Sequence, residues 1–244
     1  MRKKGPRMAI STVLFDLDGT LLPMDQDEFT KGYFGLLARK MAPYGYDAKA
    51  LIDGIWTGTA AMVKNDGSRT NEEAFWACFV ELFGRERLTA HKPLFDEFYA
   101  NEFQAAKAFC PINPLAERAV REIKASGARV ALATNPIFPA VGTRTRVSWT
   151  GLSVDDFALC TTYENCHWCK PSLDYYREVL DRLGVPAEEC LMVGNDVGED
   201  MIARELGMEV FLITDCLIDR AGKGVDAYPH GGFQDLLDFW AAQG

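Results

Sequence analysis

An uninterrupted apolar run, MAISTVLF from Met8 to Phe15, is β-branched and free of turn residues, and predicts a short buried strand. Beyond it the period changes. Over 29–109 apolar residues recur at three and four positions, as at Phe34, Leu37 and Met41 or at Ala74, Ala77 and Cys78, which predicts a block of three to five helices. Pro43-Tyr44-Gly45, Asn65-Asp66-Gly67 and Gly84 break that block, and Thr70 or Asn71 is the expected N-cap of the EEAFWACFVELF helix. From Pro111 the pattern alternates. PLAERAVREIKASG reads as a helix, ARVALAT as a strand, IFPAVGTRTRVSW as a helix and DFALCTT as a strand. SLDYYREVLDRLG follows as a helix opened by Ser172 and closed by Gly184, then CLMVG as a strand, GEDMIARELG as a helix, MEVFLIT as a strand and FQDLLDFWAA as the closing helix.

Strands alternating with helices of about 10–15 residues indicate βαβ units, and hence a parallel sheet covered on both faces. The first strand must join this sheet across the helical block. The expected fold is therefore α/β: a three-layer, flavodoxin-like (Rossmannoid) core over 1–22 and 110–244, with an all-helical insertion over 23–109.

Length and composition narrow the picture. A chain of 244 residues, 48% apolar and 25% charged, can bury a core without disulfide or metal staples. A net charge of −9 disfavours a nucleic-acid partner, since the one basic cluster, Arg2, Lys3, Lys4 and Arg7, reads as a solvated tail. No apolar run approaches the roughly 20 residues that span a bilayer, and Asp16 and Asp18 interrupt the stretch where a signal peptide would continue. Seven cysteines, an odd number, fit reduced thiols and a cytoplasmic location.

The strongest chemical signal is Asp16-Leu17-Asp18-Gly19-Thr20, directly after the first strand. Ligands of open parallel sheets bind beyond the carboxyl ends of the strands, where two acids at i and i+2 can hold a divalent cation and act on a bound group. A solvated Asp-Gly turn is the competing reading of the same residues.

This DxDGT run resembles the first motif of the haloacid dehalogenase-like (HAD) hydrolase superfamily. Ala133-Thr134-Asn135-Pro136 after ARVAL resembles its second motif, Lys170-Pro171 its third, and Gly194-Asn195-Asp196-Val197-Gly198-Glu199-Asp200 after CLMV its fourth. The likeness covers Ile10 to Leu22 and about 111 to the C-terminus, and the helical block stands where the superfamily carries its C1 cap, as in phosphoglycolate phosphatase-like members. It implies that Asp16 is a nucleophile toward phosphorus and that Asp18 protonates the leaving oxygen and then deprotonates water. An acid at Asp18 is a mark of the phosphotransferring members and disfavours dehalogenation.

By the same likeness, Thr134 and the Asn135 backbone bind phosphate oxygens, although a capped strand-to-helix turn accounts for them equally. Lys170 neutralises the phosphoryl group and Asp16. Asp196 and Asp200, with the Asp16 carboxylate and the Asp18 carbonyl, form a Mg²⁺ site. Asp200 has two further readings, a ligand through water or a partner of Lys170. One departure stands out: Asn195 occupies a position that is commonly glycine in the family. The implied activity is Mg²⁺-dependent hydrolysis of a small phosphorylated metabolite, with a sugar-phosphate mutase and a non-catalytic phospho-ligand or partner-binding protein as alternatives.

Cys166-His167-Trp168-Cys169 provides a single ligand pair, too little for a structural zinc site, and reads as buried or pocket-wall thiols rather than a redox pair. His91 and His230 read as structural or surface residues. The aromatics Phe34, Trp56, Phe75, Trp76, Phe79, Phe83, Phe95, Phe98 and Phe103 read as core of the helical block. Substrate-facing residues are expected between Leu21 and Glu28, where Asp25 and Asp27 would disfavour a second anionic group unless they form a solvated loop.

Overall fold

Alternation along the first strand decides how the layers form. In the computed structural model, which describes residues 9–243, strand β1 (Thr12–Phe15) sends Val13 and Phe15 to one face of a sheet and Leu14 to the other. Strands β2 (Arg129–Leu132), β3 (Cys190–Gly194), β4 (Glu209–Ile213) and β5 (His230–Gly231) complete it in the order β2-β1-β3-β4-β5, every pair parallel. Met8 and the basic cluster lie outside the described residues. On the Phe15 side, Ala116, Val120 and Ile123 of α5 (Pro114–Ala125) pack with Phe233 and Leu236 of α8 (Phe233–Ala241). On the Leu14 side, Tyr175, Tyr176 and Val179 of α7 (Leu173–Leu183) fill the core. With both faces covered, β1 to β4 are apolar beyond their first residues, as parallel sheets favour.

Between β1 and α5 stand four helices, α1 (Gln26–Met41), α2 (Ala48–Val63), α3 (Asn71–Phe83) and α4 (Arg85–Ala100), followed by a 3-10 segment, Glu102–Phe109. Their ends are where the turn residues put them: Gly45, Gly67 and Gly84 have φ of 77°, 80° and 85°, and Thr70 closes a capping box with Glu73. Gly54 and Gly58 let α2 approach the Phe83 and Phe75 rings of α3, which an added Cβ would strike. None of the described helices is long and apolar enough to cross a membrane.

Three expectations change. DFALCTT runs beside β2, with the Ala158 N–H donating to the Val130 carbonyl at 2.8 Å and the Thr161 N–H to that of Leu132 at 3.1 Å, yet it makes only an isolated bridge at Cys160. The Asn165 side chain folds back to accept from the Thr162 N–H and donate to the Cys160 carbonyl, both at 2.9 Å, and so ends the pairing. GEDMIARELG contains a 3-10 turn, Met201–Leu206, because the Asp200 carboxylate turns back to its own loop and Gly207 ends the segment with φ 99°. The helix expected from IFPAVGTRTRVSW begins only at Ala140, after Pro139 (α6, Ala140–Trp149).

The helical block is fastened to the core by the first turn of α3. Fully buried Asn71 donates its backbone N–H to the Cys166 carbonyl at 2.8 Å, while its amide reaches the Trp168 and Pro136 carbonyls at 3.2 and 3.3 Å. Glu72 adds its N–H to the Tyr163 carbonyl at 2.7 Å. Asn71→Ala keeps the backbone bonds but removes the amide donor from the Trp168 and Pro136 carbonyls, and a loss of about 1–3 kcal/mol is expected from urea unfolding, with faster proteolysis between α2 and α3.

Candidate active site

The strand order reverses at β1, so the crevice beyond the carboxyl ends of β1 and β3 is the favoured binding position of this topology. Register then sets the side chains. Phe15 pairs with Leu132 on one side and Val193 on the other, so the chain leaves all three strands at one level, with Asp16, Thr134 and Asp196 close behind. The Asp16 N–H donates to the Val193 carbonyl at 2.9 Å. Gly19 turns the loop with φ 85°.

At the centre lies Lys170, 1% exposed, on the loop before α7. Its ammonium donates to Asp16 Oδ1 at 2.9 Å and to Asp200 Oδ1 at 2.6 Å. Burial opposes its charge, but Asp16 and Asp200 outweigh burial and hold it protonated well above the usual lysine range. Burial raises the Asp200 carboxyl, with the Lys170 charge opposing and that of Asp16 adding. Thr20 braces Asp16 Oδ2 at 3.2 Å and donates to Asn195 Oδ1 at 2.9 Å. That contact accounts for asparagine at 195: its amide lies over Gly19, where an added Cβ would collide with it, and donates to the Cys216 carbonyl at 2.6 Å.

Asp18 occupies a different environment. One oxygen, Oδ2, is ion-paired with Arg146 of α6, a fully buried guanidinium stacked 4.0 Å from the Phe138 ring centre. The other, Oδ1, is buried without a protein partner. Burial lifts the Asp18 carboxyl above the ordinary range, Arg146 opposes the rise and Asp16 adds to it. Asn135 donates to Glu199 Oε2 at 3.0 Å and keeps its own Oδ1 buried and unpartnered. Two orphaned oxygens at one crevice mark a place built for a ligand. Thr134 is buried beside them, its carbonyl held by the Thr161 and Tyr175 hydroxyls at 2.7 and 2.9 Å.

The donor set suits a hard divalent cation. Asp16 and Asp200 share one lysine charge, and Asp196 Oδ2 rests 3.0 Å from the guanidinium of Arg220, a largely exposed side chain that can leave. Asp196 Oδ1 accepts from the Gly198 and Glu199 N–H groups at 2.7 and 2.9 Å, which fixes its orientation. No cluster of three His, Cys, Asp or Glu side chains arranged for a metal occurs among the described residues. The residues that fit are Asp16, Asp196 and the Asp18 carbonyl, with water completing the shell. The Asp200 oxygens are engaged by Lys170 and by the Asp196 N–H at 3.0 Å, the arrangement expected if Asp200 is a partner of Lys170.

The remaining candidates sort plainly. All seven cysteines are free thiols; Cys166 and Cys169 are buried, and burial raises both, Cys166 to about 12. His91 lies 3.3 Å from the Tyr46 hydroxyl and His230 2.8 Å from the Tyr228 carbonyl, both away from the crevice. Asp25 caps α1, accepting from the Asp27 and Glu28 N–H groups at 3.0 and 2.9 Å. The aromatics divide. Phe79, Phe98 and Phe103 are fully buried core, but Phe34, Trp56, Phe75, Trp76 and Phe95 line a cavity of about 360 Å³ that also reaches Asp18, Asn135 and Glu199. Core and cavity wall are therefore shared among these rings, and the exposed Trp56 is wall rather than core. Arg146, Arg220 and Tyr175 had no part in the sequence-derived site, and Thr20 and Glu199 stood in its motifs without an assigned role.

The sequence model of the haloacid dehalogenase-like hydrolases matches residues 10–206. No curated protein matches the chain. Solved structures share its fold at low identity: a 2-haloacid dehalogenase from Pseudomonas syringae (TM-score 0.63, 20% identity, 96% of this chain and 100% of that one); an HAD phosphatase from Thermococcus onnurineus (0.57, 18%, 94% and 97%); and the putative HAD-hydrolase YfnB from Bacillus subtilis, bound to magnesium and described as revealing interdomain movement (0.55, 15%, 96% and 99%).

Removing the Arg146 guanidinium would leave the Asp18 charge without its buried counter-ion. Arg146→Ala is expected to lose about 2–4 kcal/mol in urea unfolding. A loss below about 0.5 kcal/mol, the scale of an ordinary surface change, would show that the pair does not hold this loop.

Proposed function

Because the chain belongs to the haloacid dehalogenase-like hydrolase family, and because Asp16, the first acid of its motif, meets a buried lysine, we propose that it is a Mg²⁺-dependent phosphatase acting on a small phosphorylated metabolite through an aspartyl-phosphate on Asp16. The observation that carries the reading is the contrast between two carboxylates in one loop. Asp16 is held by Lys170 and Thr20, whereas Asp18 is raised by burial and presents one unpartnered oxygen.

In the first step an Asp16 oxygen attacks phosphorus, the bond from phosphorus to the leaving oxygen breaks, and Asp18 gives that oxygen its proton, so the alcohol departs neutral. In the second, the Asp18 carboxylate takes a proton from water, the water oxygen attacks phosphorus, and the bond to Asp16 breaks to release phosphate. Lys170 stays protonated throughout and offsets the charge on the phosphoryl oxygens, while Thr134 and the Asn135 backbone orient them. A Mg²⁺ ion held by Asp16, Asp196 and the Asp18 carbonyl would neutralise the phosphoryl group and Asp16 as they approach each other. The magnesium in the Bacillus subtilis neighbour supports this choice of ion, and the movement named for that structure supports treating the helical block as a cap that closes over the crevice.

A dehalogenase is among the structural neighbours, but the second acid speaks for phosphate chemistry, since it supplies the proton an alcohol leaving group needs and a halide does not. Phosphate release from a panel of phosphorylated metabolites is expected to require Mg²⁺, to stop with EDTA, and to fall at least about 1,000-fold in Asp16→Asn, as loss of a nucleophile does. Halide release from 2-haloacids with no phosphatase activity would overturn the reading.

A further inference from the structure

The cavity that touches Asp18 carries information about the leaving group. Its volume of about 360 Å³ is at the small end of the roughly 300–1,000 Å³ that hold drug-sized ligands, room for a group of one or two rings. Its walls include Trp56, Phe75, Trp76, Tyr99, Phe138 and Tyr163. Some of the polar tips of these rings bond to one another. Tyr99 and Tyr33 share a hydrogen bond of 2.6 Å, and the Trp76 indole donates to the Tyr163 hydroxyl at 3.3 Å. These walls present mainly ring face and edge, while the unpartnered Asp18 Oδ1 and Asn135 Oδ1 stand at the crevice. An apolar ring therefore fits the aromatic part better than a polyol, which would give up water there for few partners.

Charge points the same way. Asp18, Asp96 and Glu199 line the cavity, and Arg220, its one cationic lining residue, is held on Asp196. Arg146 is near but unavailable: it lies fully buried behind Phe138 with its charge on Asp18. Lys92, above the Trp76 ring, is paired with Glu72 at 2.7 Å. A carboxylate or second phosphate on the substrate would meet three acids against a single lining arginine, Arg220, which Mg²⁺ at Asp196 would release.

We propose that the substrate is the phosphate monoester of a flat apolar alcohol, one or two aromatic rings in size and without a second anionic group. The proposal rests on the phosphatase reading and deepens it. The ring stacks among Trp56, Phe75 and Trp76 while its ester oxygen reaches Asp18.

The test compares esters of alcohols with similar leaving ability: 2-naphthylmethyl phosphate, methyl phosphate, phosphoglycolate and glucose 6-phosphate. Burying one or two rings is worth roughly 30-fold or more in kcat/KM, so naphthylmethyl phosphate should exceed each of the others by at least that factor. Trp56 is half-exposed, so Trp56→Ala should fold, and it should lower the naphthylmethyl-to-methyl ratio roughly tenfold through KM. Separately, 2-naphthalenemethanol should quench tryptophan fluorescence saturably in EDTA-treated protein, and more weakly in Trp56→Ala. Saturable quenching with no ester hydrolysed would support the ligand class and overturn the phosphatase reading. Hydrolysis that favours phosphoglycolate or glucose 6-phosphate would overturn the ligand class and leave the phosphatase reading intact. No quenching and no preference would also overturn the ligand class.

Discussion

A single buried ammonium organises this protein. Lys170 sits between Asp16 and Asp200 with almost no contact with water, and a charge in that position is tolerable only if both carboxylates arrive within hydrogen-bonding distance. Asp16 arrives on the end of β1, Asp200 on the loop after β3, and Lys170 on the segment leading into α7. The parallel register of β1 with β3 and the packing of Tyr175 and Tyr176 against the sheet are therefore conditions for the site as much as for the fold. Bringing these groups together also leaves the crevice one negative charge in excess, before Asp196 is counted. A phosphoryl group enters such a place only with cations beside it, which is why lysine and a divalent ion belong to the same account.

Much of this was legible in the sequence because it follows from local rules. A β-branched apolar run followed by Asp-x-Asp-Gly-Thr identifies a strand end, and Gly45, Gly67 and Gly84 mark helix ends that only residues tolerant of positive φ can make. Lys170 was legible only through its likeness to a family motif, since a lysine before proline carries no signal of its own. Arg146 was not legible. Its role depends on Phe138 and Asp18, the latter 128 positions away, meeting it in space, and no spacing along the chain encodes that encounter. Asn195 had the opposite history. It stood out as a departure from the motif, and the contact with Thr20 over a bare Gly19 accounts for it as a brace of the Asp16–Thr20 loop.

The helical block has the same double character. Its heptad-like spacing predicted helices correctly, but periodicity cannot tell an aromatic ring packed in a core from one that walls a cavity. Phe79 and Phe98 are the first kind and Trp56 and Trp76 the second. Asn71, at the start of α3, joins the block to the Cys166–Cys169 loop and through it to Lys170. The position of the block and the position of Lys170 are thus set by one short stretch of chain.

The central claim is that Asp16 carries the phosphoryl group between the two steps. It is tested most directly by quenching turnover of a hydrolysed ester with borohydride, which reduces an acyl phosphate to an alcohol, and locating the product by peptide mass spectrometry. The account predicts homoserine at position 16, formed only with ester and Mg²⁺ present and absent from Asp16→Asn. Continued turnover with an unmodified Asp16, or reduction at another carboxylate, would contradict it.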